Sequence, residues 1–391
     1  MTKCHFKKGD FMKKQLTVAL GLAVLATPAF ASKARLQALG EDNYGSAYIS
    51  DNRNIWLNAA QINNHKDLVT YEFGTEQTGD DAATPRGEGG FYRTSGNLAY
   101  GVHFGGASST SNAMRLASGL AGAGEQNNID VFVGGDAGMK WGANLGYAKT
   151  SDESSPLTGE SMRTRLGVIS GDTQGYANIN LINNAKGTAG KKFEGQMGYQ
   201  LGAIHDWNGS TLFVDYRKFD AENTTDKKDI GLKQLEIGIG RVTKLNDKTN
   251  MFAKASYLTA EVDNENSTNV FGAGGLTPCG TGNLAVFCQE YKTSRVPVVV
   301  GLETEATSWL TLRSSVGAVV WGSEEDKTNE RSIQNATIVN AGATLKFGEL
   351  SVDGVIGNGT AQGAAPAANG TDTGTLRTDS LMSRVSMTYK F

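Results

Sequence analysis

The chain has 391 residues, 39% of them hydrophobic, with 50 glycines against 6 prolines, a formal net charge of −3 and a mean hydropathy of −0.33. An acidic balance argues against nucleic acid and anionic lipid as charge-driven partners. The polar average does not exclude a membrane protein, because a barrel strand alternates lipid-facing and lumen-facing residues and scores as polar overall.

Lys13 and Lys14 precede an apolar stretch from Leu16 to Ala26, and Pro28-Ala29-Phe30-Ala31 follows with a small-x-small pattern. This is the layout of a secretory signal peptide, with Met12 as its natural start and cleavage expected after Ala31. The apolar stretch is shorter than the roughly 20 residues a spanning helix needs, and nothing after Ser32 supplies such a run. Loss of residues 1–31 changes 37 basic and 40 acidic residues to 32 and 39, a net charge of −7. Cys4 leaves as well. Cys279 and Cys288 remain, expected as one disulfide that clamps a loop. With no His or third Cys nearby, a metal pair is disfavoured, and no metal or cofactor is expected. Residues 32–65 are expected to be a periplasmic tether or a small plug.

From residue 66 onward the signal is alternation with period two. Leu98, Tyr100, Val102 and Phe104 oppose Ala99, Gly101 and His103; Trp141, Ala143, Leu145 and Tyr147 oppose Lys140, Gly142, Asn144 and Gly146. The pattern recurs with Leu201, Leu212, Val214, Ile237, Ile239, Val298, Val300, Leu302, Leu312, Val316, Val339 and Leu345 on the apolar face. Runs of this kind suit tilted strands crossing a bilayer, which need about 9–11 residues each. Tight links near residues 94–97, 134–138, 171–175, 205–209, 245–248, 305–308 and 348–349 alternate with long polar stretches, the longest at 262–289. Seven tight turns and eight long loops predict an all-β, transmembrane antiparallel barrel of 16 strands over residues 66–391, with short periplasmic turns and long extracellular loops. The strands near 66–74 and 88–94 are the weakest; without them the count is 14. By parity Trp321 falls on the lumen face. At the end of the chain Val385, Met387, Tyr389 and Phe391 share one face and Arg384, Ser386, Thr388 and Lys390 the other. This is a closing strand, since an unpaired edge in hydrocarbon leaves backbone groups unsatisfied.

The terminal strand ending in Phe391 resembles the C-terminal assembly signal of bacterial outer-membrane proteins. With the leader and the loop pattern, the mature chain resembles the porins, and Tyr48-Ile49-Ser50-Asp51-Asn52-Arg53-Asn54-Ile55-Trp56-Leu57-Asn58 resembles the N-terminal region of the major outer-membrane proteins of predatory deltaproteobacteria. The acidic constriction-loop motif of the enterobacterial general porins has no counterpart. The resemblance implies a bacterial outer-membrane location, contact with lipid and lipopolysaccharide, the barrel-assembly machinery as partner through Val385, Met387, Tyr389 and Phe391, and association as a homotrimer, as that class allows.

The residues offer no catalytic constellation. His65, His103 and His205 lie in different segments, and the glycine clusters lack a following Lys and Ser or Thr, so no enzyme is expected. The predicted function is instead passive diffusion of small hydrophilic solutes and ions, with a plugged transporter or receptor, or a barrel that displays its loops, as alternatives. Lumen polarity and charge rings would set preference. Parity places Lys140, Arg163, Arg165, Asp215, Arg217, Glu236, Lys254, Arg295, Glu303, Arg313, Asp353 and Arg384 along the pore. Tyr71, Phe73, Phe104, Trp141, Tyr147, Tyr257, Trp321, Phe347, Tyr389 and Phe391 cluster toward strand ends, as interfacial girdles do.

Overall fold

The structure is a computed structural model; it describes residues 32–42, 44–74, 86–106, 125, 127–151, 157–187, 190–265, 290–326, 330–333, 337–357 and 382–391. Cys279 and Cys288 lie outside the described residues.

The strands run in chain order as β1 (Leu68–Gly74), β2 (Arg86–Ser95), β3 (Leu98–Phe104), β4 (Ile129–Asp136), β5 (Lys140–Ser151), β6 (Thr158–Ser170), β7 (Thr173–Lys186), β8 (Lys192–Gly195) and β9 (Gly198–Trp207). They continue as β10 (Ser210–Asn223), β11 (Lys228–Asn246), β12 (Thr249–Asn264), β13 (Glu290–Thr307), β14 (Leu310–Asp326), β15 (Glu330–Ser332), β16 (Thr337–Phe347), β17 (Leu350–Gly357) and β18 (Met382–Lys390). β8 and β9 pair with the same two neighbours, β7 and β10, and so form one interrupted crossing; β15 and β16 both pair with β14 and form another. Among the described residues this makes a 16-strand antiparallel transmembrane barrel.

Closure is made by β1 against β18, with Tyr71 opposite Met387 and Phe73 opposite Val385, and the Phe391 N–H donates to the Asp67 carbonyl at 3.2 Å. The closing ladder leaves no open edge along the seam. Phe391 stacks on Phe91 at 5.8 Å, and the Arg93 guanidinium lies 5.0 Å from its ring. The tight turns use the expected chemistry. Asn208 and Gly209 both have positive φ, 49° and 76°, the pairing that a two-residue hairpin requires to match strand twist.

Side chains alternate as the sequence predicts. Leu98, Tyr100, Phe104, Leu145, Leu212, Ile237, Val300, Leu302, Val316, Tyr389 and Phe391 are exposed on the outer wall, and their sequence neighbours point inward. Trp321 is the correction. It lies on the outer wall and is 56% exposed, because the β13–β14 register slips by one residue between Val296 and Pro297. Pro297 has no N–H to donate, and the β12–β13 ladder is likewise interrupted between the Ala255–Val298 and Leu258–Arg295 pairs. A bulge adds one residue, so every side chain beyond it changes face. The inward series Arg313, Ser315 and Val319 therefore resumes at Gly322 and Glu324, while Trp321 joins the outer aromatics.

Candidate functional site

The chain's own N-terminal segment lies inside the barrel. Residues 32–42 and 44–65 form three short turns, each started by a capping side chain. Ser32 Oγ accepts from the Arg35 N–H at 3.0 Å at the head of the helix Lys33–Ala38; Asp51 accepts from the Arg53 N–H at 2.9 Å before the 3-10 turn Asn52–Trp56; Asn58 accepts from the Ala60 N–H at 3.0 Å before Ala59–Asn63. Such caps satisfy the orphan donors of a turn too short to stand alone. Between the turns, Asn54 ties the chain together, accepting from the Ser46 N–H at 2.8 Å and donating to the Ile49 carbonyl at 2.9 Å.

The segment meets inward side chains from β1 round to β7 and from β11 round to β17. Three small apolar clusters seat it. Leu36, Leu39, Tyr48 and Ile49 pack with Phe252 of β12; Ile55, Trp56 and Ile62 pack with Leu68, Tyr92, Ala99 and Phe132; Ala34 and Ala38 pack with Val355. Close approach depends on inward-facing glycines. A methyl group on Gly142 would overlap the Ala59 backbone, and one on Gly167 would overlap the Asn58 side chain.

Polar contacts then fix the register of segment on wall. Arg35 bridges Asp51 at 3.1 Å and Glu303 of β13 at 2.9 Å, and Glu303 also receives Arg313 of β14, which reaches Asp353 of β17 at 3.1 Å and Thr344 of β16. Lys33 and Arg53 both end on Glu88 of β2, each at 2.8 Å. Glu41 receives Lys254 of β12 at 3.0 Å, and Asn64 receives Lys140 of β5 at 2.6 Å. Asn178 and Gln174 of β7 bond the Leu57 carbonyl and the Gln61 amide at 3.1 and 2.8 Å. Trp56 sits among two guanidinium groups, Arg53 at 5.0 Å and Arg165 of β6 at 4.8 Å, with His103 and Phe132 edge-on. Cation–π contacts of this kind gain strength when desolvated. The segment's His65 is buried, and that burial, with the cations Arg35 and Lys140 nearby, pushes its imidazole down to about 4.

All twelve residues predicted along the pore face inward. Glu303, Arg313 and Asp353 share one network. Arg163 and Arg165 share Asp130 of β4, at 3.0 and 3.1 Å, and Arg163 also meets Glu125 at 2.9 Å. Asp215 and Arg217 pair at 2.6 Å, with Tyr176 and Gln200 donating to the same carboxylate at 2.7 and 2.6 Å. Lys254 and Lys140 meet the N-terminal segment directly. Glu236 lies opposite Asp215 in register, Arg384 is buried on β18, and the buried Arg295 stands apart, with Nε and Nη1 making no hydrogen bond. Sequence reasoning missed the other half of these contacts: Lys33, Arg35, Glu41, Asp51, Arg53 and Trp56 in the segment, and Glu72, Glu88 and Asp130 on the wall. The available signal was the run of inward glycines, which a lumen filled only by water does not require.

No protein-family model matches the chain, and no curated protein matches it. Among solved structures it is similar to the outer membrane protein OmpT of Vibrio cholerae, with 12% identity, a TM-score of 0.38, and coverage of 83% of this chain and 97% of that one. A porin refined at 1.8 Å gives 16% identity and a TM-score of 0.41 over 83% and 99% of the two chains, and the toluene transporter TodX of Pseudomonas putida 11% and 0.36 over 90% and 98%. At such scores the barrel is read from the chain's own strand pairing.

Proposed function

We propose that the chain is a bacterial outer-membrane channel for small hydrophilic solutes and ions whose lumen is closed by its own N-terminal segment acting as a plug. The supporting observation is the Arg35 bridge. A guanidinium from the segment joins Asp51 of the segment to Glu303 of the wall, deep inside the barrel, and Glu303 is also held by Arg313. This reading keeps the channel and takes the plugged form over a permanently open pore. It involves no catalytic step. Outer-membrane location is supported by the outward apolar face with aromatics near both rims, the arrangement that lipid-facing barrels use. Opening requires that these buried, charge-assisted contacts of the plug be exchanged for water. Solutes then pass along Arg163, Arg165, Asp215 and Arg217. The short resemblance to deltaproteobacterial outer-membrane proteins falls on residues 48–58 of the plug itself.

Single-channel recording in a planar bilayer tests the proposal. The intact chain should show small or rare openings, and a chain lacking residues 36–64 should show large stable steps. The double change Glu88→Gln with Glu303→Gln should fall between them. Large permanent steps from the intact chain, unchanged by the deletion, would refute the closure, and silence from all three would refute the channel.

A further inference from the structure

Glu72 and Glu88 are paired in register on β1 and β2, and both are buried on the inward face. Like charges directly opposite each other repel, and a buried carboxylate requires a partner. Glu88 has two cations, Lys33 and Arg53, each at 2.8 Å. Glu72 makes no ion pair among the described residues. Both of its oxygens face a single backbone N–H, that of Lys33, at 3.2 and 3.3 Å. The nearby cations are committed elsewhere, Lys33 and Arg53 to Glu88 and Arg35 to Asp51 and Glu303.

The residue before that N–H is Ser32, held firmly in place. Its hydroxyl accepts from Arg35 at 3.0 Å and its carbonyl accepts from the Leu36 N–H at 3.0 Å. The Ser32 nitrogen is one residue before the N–H that meets the Glu72 carboxylate. Ser32 is also the residue that leader removal after Ala31 would expose.

We propose that Glu72 is the receptor for the mature N-terminus, and that cleavage of the Ala31–Ser32 bond supplies the cation it lacks and fastens the plug in the lumen. The inference rests on leader removal at that bond and on the plug. Hydrolysis by the protease that removes export leaders consumes one water, leaves a carboxylate on Ala31 and an amine on Ser32, and the amine takes up a proton at neutral pH. A neutral amide with one N–H becomes an ammonium with three donors. An ammonium facing a carboxylate is bound more strongly than an amide N–H, so docking is tighter after cleavage than before.

The test uses the full mature chain refolded in detergent, with its first residue established by intact mass. Periodate treatment of the unfolded chain converts an N-terminal serine to a glyoxylyl group, erasing the amine; because the capping hydroxyl of Ser32 leaves with it as formaldehyde, the rate is compared with that of the Ser32→Ala chain, which keeps the amine. Glu72→Gln erases its partner. The readout is the rate at which trypsin cuts after Lys33 and Arg35 in the folded barrel, whose integrity is checked by heat-modifiable mobility. Each change should raise that rate by at least about tenfold, since removing one member of a buried pair leaves the other uncompensated. Applied together they should do no more than one alone. Unchanged rates, effects that multiply, or a mature chain that does not begin at Ser32 would each overturn the proposal. Trypsin access reports plug position whether or not the barrel conducts, so failure here leaves the channel reading standing.

Discussion

The two faces of each strand obey different rules. The outer face meets a uniform solvent, lipid, so one residue in two must be apolar and nothing else is specified; Val298, Val300 and Leu302 of β13 could exchange places at little cost. The inner face of the same strand carries Gly301 and Glu303, and each has a particular neighbour to suit. Gly301 lies under Leu39, and Glu303 takes Arg35 and Arg313. The outer wall is a composition and the inner wall is a set of partners. Substitutions should therefore be graded on the outer wall and specific on the inner one.

The largest effect should come from the seam that holds both faces in place. Removing Phe391 takes away its stacking on Phe91 and the N–H that bonds Asp67. Insertion should fail for most of the protein, and wild-type yields of heat-modifiable barrel would refute the role given to that residue. Next comes the inner wall. Glu303→Gln leaves Arg35 and Arg313 buried without their shared carboxylate, and removal of one partner of a buried pair costs about 3–5 kcal/mol. The loss should appear chiefly as plug release, measured by trypsin access to the segment, with β-sheet circular dichroism retained. On the outer wall, Val300→Arg puts a charge in lipid and should cost about 2–4 kcal/mol near the midplane. That loss should appear as barrel unfolding in urea, with plug and barrel lost together. If the two variants gave the same signature, the division between the faces would be wrong.

The difference explains what the sequence disclosed. Strand number, turn positions and the inward parity of Lys140, Arg163, Glu303 or Arg313 follow from a period-two pattern that lipid imposes locally. The bulge at Pro297 broke that pattern for Trp321, and only pairing with β12 and β14 shows where the extra residue goes. The plug was less legible, because residues 32–65 carry neither period and are ordered by partners up to 268 residues away, as Arg35 is by Glu303. Glu72 and Glu88 fall on the two strands where alternation gave least support.

The smallest effect sharpens the comparison within the plug itself. His65 is docked as a neutral imidazole, pushed down to about 4 by burial and by Arg35 and Lys140, whereas a released plug would titrate it near 6.5. The docked state then binds fewer protons than the released one through this range. The share of its stability that His65 carries is whole above about pH 6.5, declines as pH falls through that value, and reaches its full loss below about pH 4. At pH 5.5 the loss is about 1.4 kcal/mol, a factor of roughly ten in plug release. Asp51 of the plug, raised to about 7 by burial, takes up a proton in the docked state over the same interval and opposes that loss. The His65 contribution is therefore read against His65→Gln, which keeps a polar side chain of similar reach and cannot charge. Trypsin access to Lys33 and Arg35, measured after pre-equilibration at each pH and a short pulse at a fixed one, should change between pH 7.5 and 5.5 by about tenfold more, in the direction of release, in the intact chain than in His65→Gln, and the two should release alike at pH 7.5. The same pH response in both chains would remove His65 from the account.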